Sequence, residues 1–166
     1  MPIYSNQVEG HVLGGLLKHP DVLPEIDSFV SAADFYNDVH QTIYCILREA
    51  VLNNEKIDKV LLATKISNLG ISSKDDIDIY DYINTLSYTS ITRAAVIDSC
   101  KELVKYRIRR ELSETAGRIK EHVTNSSNED IDSIIASTDA IYSEKISSYS
   151  FEDDPQNVFD DLEFKI

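Results

Sequence analysis

The 166-residue sequence is poor in glycine, proline and long apolar runs. Five Gly and four Pro are too few for the many turns of an all-β protein. The plentiful Ile and Tyr residues recur at helical rather than alternating spacings. No apolar run approaches the length of a membrane-spanning helix, and no secretion signal opens the sequence. The sequence therefore predicts an all-α protein of the cytoplasm.

The sequence also lacks the motifs of common catalytic and metal sites. No Gly is followed by Lys, so a Gly-x-x-x-x-Gly-Lys-Ser/Thr phosphate-binding loop is absent. Cys45 and Cys100 lie in apolar helical patterns without zinc-ligand spacing, and we expect both thiols to be free and buried. His40, near Asp34 and Asp38, is predicted to be a buried histidine that donates to a carboxylate or a carbonyl. We expect no catalytic residue, no metal and no cofactor.

Positive charge is scarce, because 16 Lys and Arg residues face 29 Asp and Glu residues, for a net charge of −13. A protein that grips nucleic acid gains much of its affinity from Lys and Arg that displace counterions from phosphates. The one basic strip, between Lys101 and Lys120, is interleaved with acidic residues and is predicted to be a solvated helix face. A helical nucleic-acid-binding regulator is therefore the less favoured alternative.

Caps and apolar spacings predict a helical head over residues 1–90. The first helix covers residues 6–17, with Asn6 and Glu9 as a capping box and with glycines at positions where another backbone packs closely. Four more helices are predicted, over residues 21–29, from Ser31 to about residue 50, over 60–69 behind Asp58, and from Asp75 or Asp76 onward.

The second half predicts a long antiparallel helical hairpin over residues 91–147. One helix of about thirty residues ends at Val123, a polar turn follows, and a second helix covers residues 129–146. Such a hairpin exposes apolar surface that requires a partner. Residues 148–166 are acidic and are predicted to be a linker toward a further domain that is not in these residues.

Two motifs carry a resemblance to a known family: Glu9, Val12, Leu13, Gly14, Leu16 and Leu17 in the first, and Asp34, Phe35, Tyr36, His40 and Ile43 in the second. Weaker matches follow at Ile57-Asp58, Leu69-Gly70, Tyr82-Ile83 and Arg110-Glu111-Leu112. In order, from residue 5 to about 147, the chain resembles the N-terminal domain of replicative hexameric helicases of the DnaB type, in a phage or plasmid version.

The resemblance implies a non-catalytic domain that assembles the helicase ring. In that family the hairpins of neighbouring subunits pair, dimers assemble as a trimer of dimers, and the collar docks the C-terminal domain of primase and, in some systems, a helicase loader. ATP, magnesium and most DNA contacts are expected only in the motor domain. The alternative is a stand-alone protein of this fold that binds and modulates a helicase.

For hairpin packing and oligomerisation we expect six apolar residues, some of which instead contact only their own hairpin: Val104, Ile108, Leu112, Ile119, Ile134 and Ile141.

Overall fold

The computed structural model describes residues 3–70 and 78–149, and within these ranges the chain is all-α, as predicted. Two short 3-10 helices cover Pro20–Val22 and Ala32–Asp34. The α-helices are α1 (Asn6–Lys18), α2 (Leu23–Ile26), α3 (Asp38–Leu52), α4 (Lys59–Asn68), α5 (Ile79–Ser87), α6 (Arg93–Thr124) and α7 (Ile131–Ser147).

The first helix begins at Asn6, and its cap is Ser5, one residue before the predicted cap. The Ser5 hydroxyl, not Asn6, accepts a hydrogen bond from the Val8 amide, at 3.2 Å. Glu9 does not reach back to form the predicted capping box, because its carboxylate is turned inward toward α3. The capping-box prediction for α1 is therefore wrong.

The predictions of the caps of the next helices are only partly confirmed. Ser31 and Asp34 do form a capping box, but around the 3-10 helix, whereas α3 begins later behind Asn37. The predicted Asp58 cap of α4 is confirmed, since its carboxylate accepts from the Val60 amide at 2.7 Å. The predicted starts of α5 at residues 75 and 76 lie outside the described residues, and the described helix begins behind Asp78.

Helix α1 is the centre of the first compact unit, which spans Met1–Arg107. One face of α1 is buried, and a Cβ on Gly14 would lie 2.4 Å from the Leu86 carbonyl oxygen. The predicted close approach of another backbone is thus confirmed at Gly14. A Cβ on Gly15 would lie 2.4 Å from a methyl carbon of Val96, so α1 also packs tightly against α6.

The boundary between the two compact units lies between Arg107 and Ile108, within α6, whereas the sequence predicts a head that ends at residue 90. The first part of α6 belongs to the first unit because Val96, Cys100, Leu103 and Val104 are all buried there.

The prediction that both cysteines are buried is half right. Cys100 is buried and Cys45 is exposed. Cys45 points away from the core because it adjoins the buried stripe of α3, made by Ile43, Tyr44 and Leu47, without belonging to it.

The second unit spans Ile108–Ile166, and its described part is an antiparallel pair formed by the end of α6 and by α7. A carboxylate oxygen of Glu111 accepts from the Tyr149 hydroxyl at 2.8 Å and lies 3.4 Å from Lys145 Nζ. At the other end, Asp130 caps α7 by accepting from the Ser133 amide at 2.7 Å. The two contacts of Glu111 join the start of this segment of α6 to the end of α7, as in the predicted hairpin.

Candidate functional site

A buried polar cluster joins three helices of the first unit. Glu9 of α1 and His40 of α3 are almost completely buried. The Glu9 carboxylate accepts from His40 Nδ1 at 2.9 Å and from the backbone amides of Tyr36 and Asn37 at 3.0 and 3.2 Å. His40 Nε2 pairs with the hydroxyl of Tyr82 on α5. The prediction that His40 is buried and donates to a carboxylate is confirmed.

Hydrogen bonding favours the charged form of Glu9 in spite of its burial. Burial alone would raise the pKa of Glu9, but the hydrogen bonds from His40 and from the two amides outweigh burial and lower that pKa below its ordinary value. Burial and the nearby Glu9 carboxylate raise the pKa of Tyr82. His40 Nδ1 is paired with the Glu9 carboxylate, and its other ring nitrogen, Nε2, is paired with the Tyr82 hydroxyl.

This cluster links the helices α1, α3 and α5 through hydrogen bonds. Each of the three side chains is hydrogen-bonded to another member or to the backbone. Among the described residues, no group of three His, Cys, Asp or Glu side chains could hold a metal ion.

Asp34, which belongs to the second sequence motif, has a comparable structural role. It is fully buried, lies 2.5 Å from Arg107 Nε through one oxygen and accepts from the Ser31 amide at 2.6 Å through the other. The pair ties the 3-10 helix before α3 to the first part of α6. A buried carboxylate is stable here because a guanidinium and an amide replace its lost water.

The six residues predicted for hairpin packing fall into two places. Val104 lies in the first unit and is almost completely buried. The other five lie in the second unit: Ile108, Ile119, Ile134 and Ile141 are half-buried, and Leu112 is exposed. Thr115 is buried between Ile108 and Ile119 in the same helical stripe, so this stripe of α6 faces α7.

A second apolar stripe of α7 is more exposed than the one that was predicted. Every residue of α7 is at least partly exposed. The exposed fractions are 75% for Ile131, 62% for Ile135, 54% for Tyr142 and 41% for Ile146. These residues are separated by four, seven and four positions, so they share one side of the helix. Leu112 and Val123 are the exposed large apolar residues of the neighbouring segment of α6.

Sequence reasoning recognised these residues as helical but did not select them as a surface. Ile134 and Ile141 form one apolar stripe of α7, and Ile131, Ile135, Tyr142 and Ile146 form another. Periodicity locates both stripes without saying which one faces α6. The available signal was the width of the apolar surface, which exceeds what a single neighbouring helix covers.

In the described residues, no helix combines the length and the apolar content that crossing a membrane requires.

Comparisons with known proteins agree on one family. The sequence model of the family described as "DnaB-like helicase N terminal domain" matches residues 1–105. The chain is 26% identical over 170 residues to the "Replicative DNA helicase DnaB" of Haemophilus influenzae. All of the chain takes part in that alignment, but it spans only 35% of that relative's length.

A solved structure shares the fold. The N-terminal domain of DnaB helicase from Mycobacterium tuberculosis superposes with a TM-score of 0.72 at 22% sequence identity. The match covers 86% of this chain and 99% of that domain. Because the family model matches well over half of the sequence, the chain belongs to the DnaB-like helicase N-terminal domain family.

Proposed function

We propose that this domain assembles a replicative DNA helicase and docks its partners, and that it contributes no catalytic residue and binds no cofactor. Family membership and the similarity to a replicative helicase support the helicase context. The observation that carries the assembly role is the exposed isoleucine-rich side of α7. In this proposal ATP, magnesium and most of the DNA contacts belong to the remainder of such a helicase.

The exposed apolar side of the second unit supports self-association. Ile131, Ile135 and Tyr142 each leave more than half of their side-chain surface in contact with water. Covering apolar surface stabilises an association by about 25 cal/mol per Å² before the entropic cost of binding. A contiguous apolar patch of this kind marks an interaction surface. Pairing with a second hairpin would cover it, and dimers would then build a trimer of dimers.

Docking of partners is the second part of the proposal. The family resemblance suggests the C-terminal domain of primase and, in some systems, a helicase loader. Exposed apolar residues of the first unit, such as Val60 and Leu69 on and beside α4, offer surface for such contacts.

The assembly role is tested by measuring molar mass with light scattering for the wild-type chain and for an Ile135→Ser, Tyr142→Ser variant. We expect wild-type oligomers and a folded, monomeric variant, because the two serines remove apolar surface from the proposed contact. The matched control is Val60→Ser, Leu69→Ser, which removes exposed apolar side chains from the first unit and should leave the mass unchanged. A variant that associates as strongly as wild type would contradict the proposed contact.

The docking role is tested separately by isothermal titration of the isolated C-terminal domain of the cognate primase into the wild-type chain. Saturable binding that also occurs with the Ile135→Ser, Tyr142→Ser variant would support a docking surface outside the hairpin. The absence of heat at millimolar concentrations would exclude direct docking of primase by this domain.

A further inference from the structure

An open groove of the first unit lies where the last turns of α1 and α3 meet the segment before α4. Its volume is about 460 Å³, within the range of sites that bind ligands, roughly 300–1,000 Å³. Much of its wall is apolar, because four half-buried apolar residues line it: Leu17, Pro20, Val51 and Ile57. We call this depression the α1–α3 groove.

A helix cap forms one wall of the groove. Asn54, just beyond the end of α3, takes a left-handed conformation with a φ of 57°, which asparagine tolerates better than most residues. The Glu55 amide then donates to the Ala50 carbonyl at 2.8 Å. This cap turns the chain back at the end of α3, so that Lys56 and Ile57 line the groove beside the last turn of that helix.

A smaller cleft adjoins the groove. It lies between α3 and α4, has a volume of about 20 Å³ and shares Glu55, Lys56 and Ile57 with the groove. The rest of its lining is mostly apolar and includes Leu47, Ala50, Leu61 and Leu62. Such a cleft admits one or two groups the size of a water molecule, each of which needs roughly 10–15 Å³. Lys56 therefore lines both a large and a small apolar depression.

The other charged residues that line the two depressions already have partners. Asp21 accepts from Arg93 Nε at 2.8 Å. Glu55 Oε2 lies 3.5 Å from Lys65 Nζ. Asp58 caps the start of α4 with its carboxylate. None of these groups needs a ligand to complete its contacts.

Lys56 differs from these residues. It is exposed, and within residues 3–70 and 78–149 its ammonium forms no ion pair, hydrogen bond or ring contact. An unpaired ammonium that borders apolar depressions attracts a carboxylate whose neighbouring groups are apolar. The surface thus presents an apolar depression, a positive charge and a second apolar depression side by side.

We infer that the α1–α3 groove and the cleft bind a short segment of a partner protein in which a carboxylate stands between two apolar side chains. The bulkier apolar side chain fills the groove, the smaller one enters the cleft, and the carboxylate pairs with Lys56. A free amphiphilic carboxylate fits less well, because its single apolar part leaves one depression empty. The inference goes beyond the proposed function, since neither assembly through the hairpin nor docking of primase requires this groove.

The test is fluorescence anisotropy of labelled nine-residue peptides on the full 166-residue chain. Each peptide carries one Phe and one Val in a Gly-Ser background, separated by one to three residues, one of which is Glu. Matched series carry Gln or Lys in place of the Glu. We expect saturable binding for at least one spacing, roughly threefold weaker binding when Gln replaces Glu, and the weakest binding with Lys.

Three variants assign the binding to the groove. Lys56→Glu should reverse the preference, so that the Lys series binds more tightly than the Glu series. Val51→Thr replaces a methyl of the groove wall with a hydroxyl and should weaken all series alike. Lys105→Glu makes the same charge change at an exposed position of α6 outside the groove and should leave the preference for Glu intact. Circular dichroism of each variant verifies that the helices remain folded.

The remaining outcomes overturn the inference. They are the absence of saturable binding at millimolar peptide for every spacing, and a preference for Glu that survives Lys56→Glu. Decanoate probes the alternative occupant, and saturable binding of decanoate in isothermal titration without binding of any peptide would also overturn it. The proposed function fails separately, because Lys56→Glu should keep the molar mass of the wild type. Peptide binding by a chain that never associates would contradict hairpin assembly and support the groove.

Discussion

At the scale of single residues, the first unit depends on a charged group that is kept away from water. Burying an isolated carboxylate costs several kcal/mol. Glu9 offsets that cost with three donors, the imidazole of His40 and the amides of Tyr36 and Asn37. Because these donors come from α3 and from the segment just before it, the Glu9 charge fixes how α1 and α3 meet.

Replacing Glu9 with glutamine should lower the free energy of unfolding by about 2–3 kcal/mol, because hydrogen bonds to a charged acceptor are lost and an amide N–H now faces existing donors. Urea unfolding followed by circular dichroism measures the change. Glu49→Gln alters an exposed glutamate of α3 and should stay within about 0.5 kcal/mol of wild type. Equal losses in both variants would show that Glu9 has no special role.

The pH dependence of stability in wild type and in Glu9→Gln tests the lowered pKa of Glu9. A carboxyl group whose folded-state pKa lies below its ordinary value of 4.5 stabilises the fold above that pH. The contribution disappears as the pH falls through the folded-state pKa, because the unfolded chain takes up the proton first. The stability difference between wild type and Glu9→Gln should therefore narrow below pH 4.5. A difference that widens on acidification would contradict this assignment.

Tyr82 contributes through its hydroxyl. Tyr82→Phe removes the partner of His40 Nε2 and should cost about 1 kcal/mol, the usual net value of a hydrogen bond. Tyr80→Phe on the same helix changes a ring that is 40% exposed and should cost less than half as much. Thermal unfolding of the two variants side by side makes the comparison, and equal melting temperatures would argue against the His40–Tyr82 bond.

At the scale of elements, glycines in two helices have opposite roles. Gly14 in α1 allows the backbone at Leu86 to approach closely, whereas nothing lies within 4 Å of a Cβ placed on Gly117 in α6. A glycine in a helix costs about 0.5–1 kcal/mol relative to alanine. The cost at Gly14 is offset by close packing, and the cost at Gly117 has no such compensation in its surroundings.

Alanine substitutions at these two glycines should therefore change stability in opposite directions. Gly14→Ala should destabilise by about 1–3 kcal/mol through overpacking against backbone that cannot move aside. Gly117→Ala should stabilise α6 by about 0.5–1 kcal/mol. Denaturant midpoints and helix content by circular dichroism measure both effects. A stabilised Gly14→Ala variant would mean that α1 and α5 are less tightly packed than the structure shows.

Helix positions were predictable to the extent that local rules control them. The periodic apolar stripes of α3, α4, α6 and α7 and the Asp58 cap follow from residues close in sequence. The capping of α1 does not, because the Glu9 carboxylate bonds to His40, thirty-one residues away, and Ser5 caps the helix instead. When a side chain has one possible hydrogen-bond partner in its own helix and another in a distant segment, the local sequence does not reveal which partner it takes.

At the scale of the whole molecule, the boundary between units was less predictable than the helices. α6 is one uninterrupted helix, and its first part is buried in one unit while its second part pairs with α7. Helix signals do not reveal such a division. Val104 illustrates the same limit, because it shares the helical spacing of the five predicted residues of the second unit but is buried in the first unit. Burial by distant segments, which single-sequence patterns do not contain, separates them.

The net charge of the chain and the exposed apolar residues of α7 act on association in opposite directions. A net charge of −13 opposes association at low salt through general repulsion, while the exposed apolar residues Ile131, Ile135, Tyr142 and Ile146 favour it. The balance predicts association that depends on protein concentration rather than an aggregate of undefined size.

The most direct test of assembly through the hairpin is sedimentation equilibrium of the unmodified chain from low micromolar to millimolar concentration. We expect the mass to rise from the 18.8 kDa monomer to a defined multiple of it as the exposed apolar residues of α7 become covered. A mass that remains at 18.8 kDa over the whole range would contradict assembly by this domain.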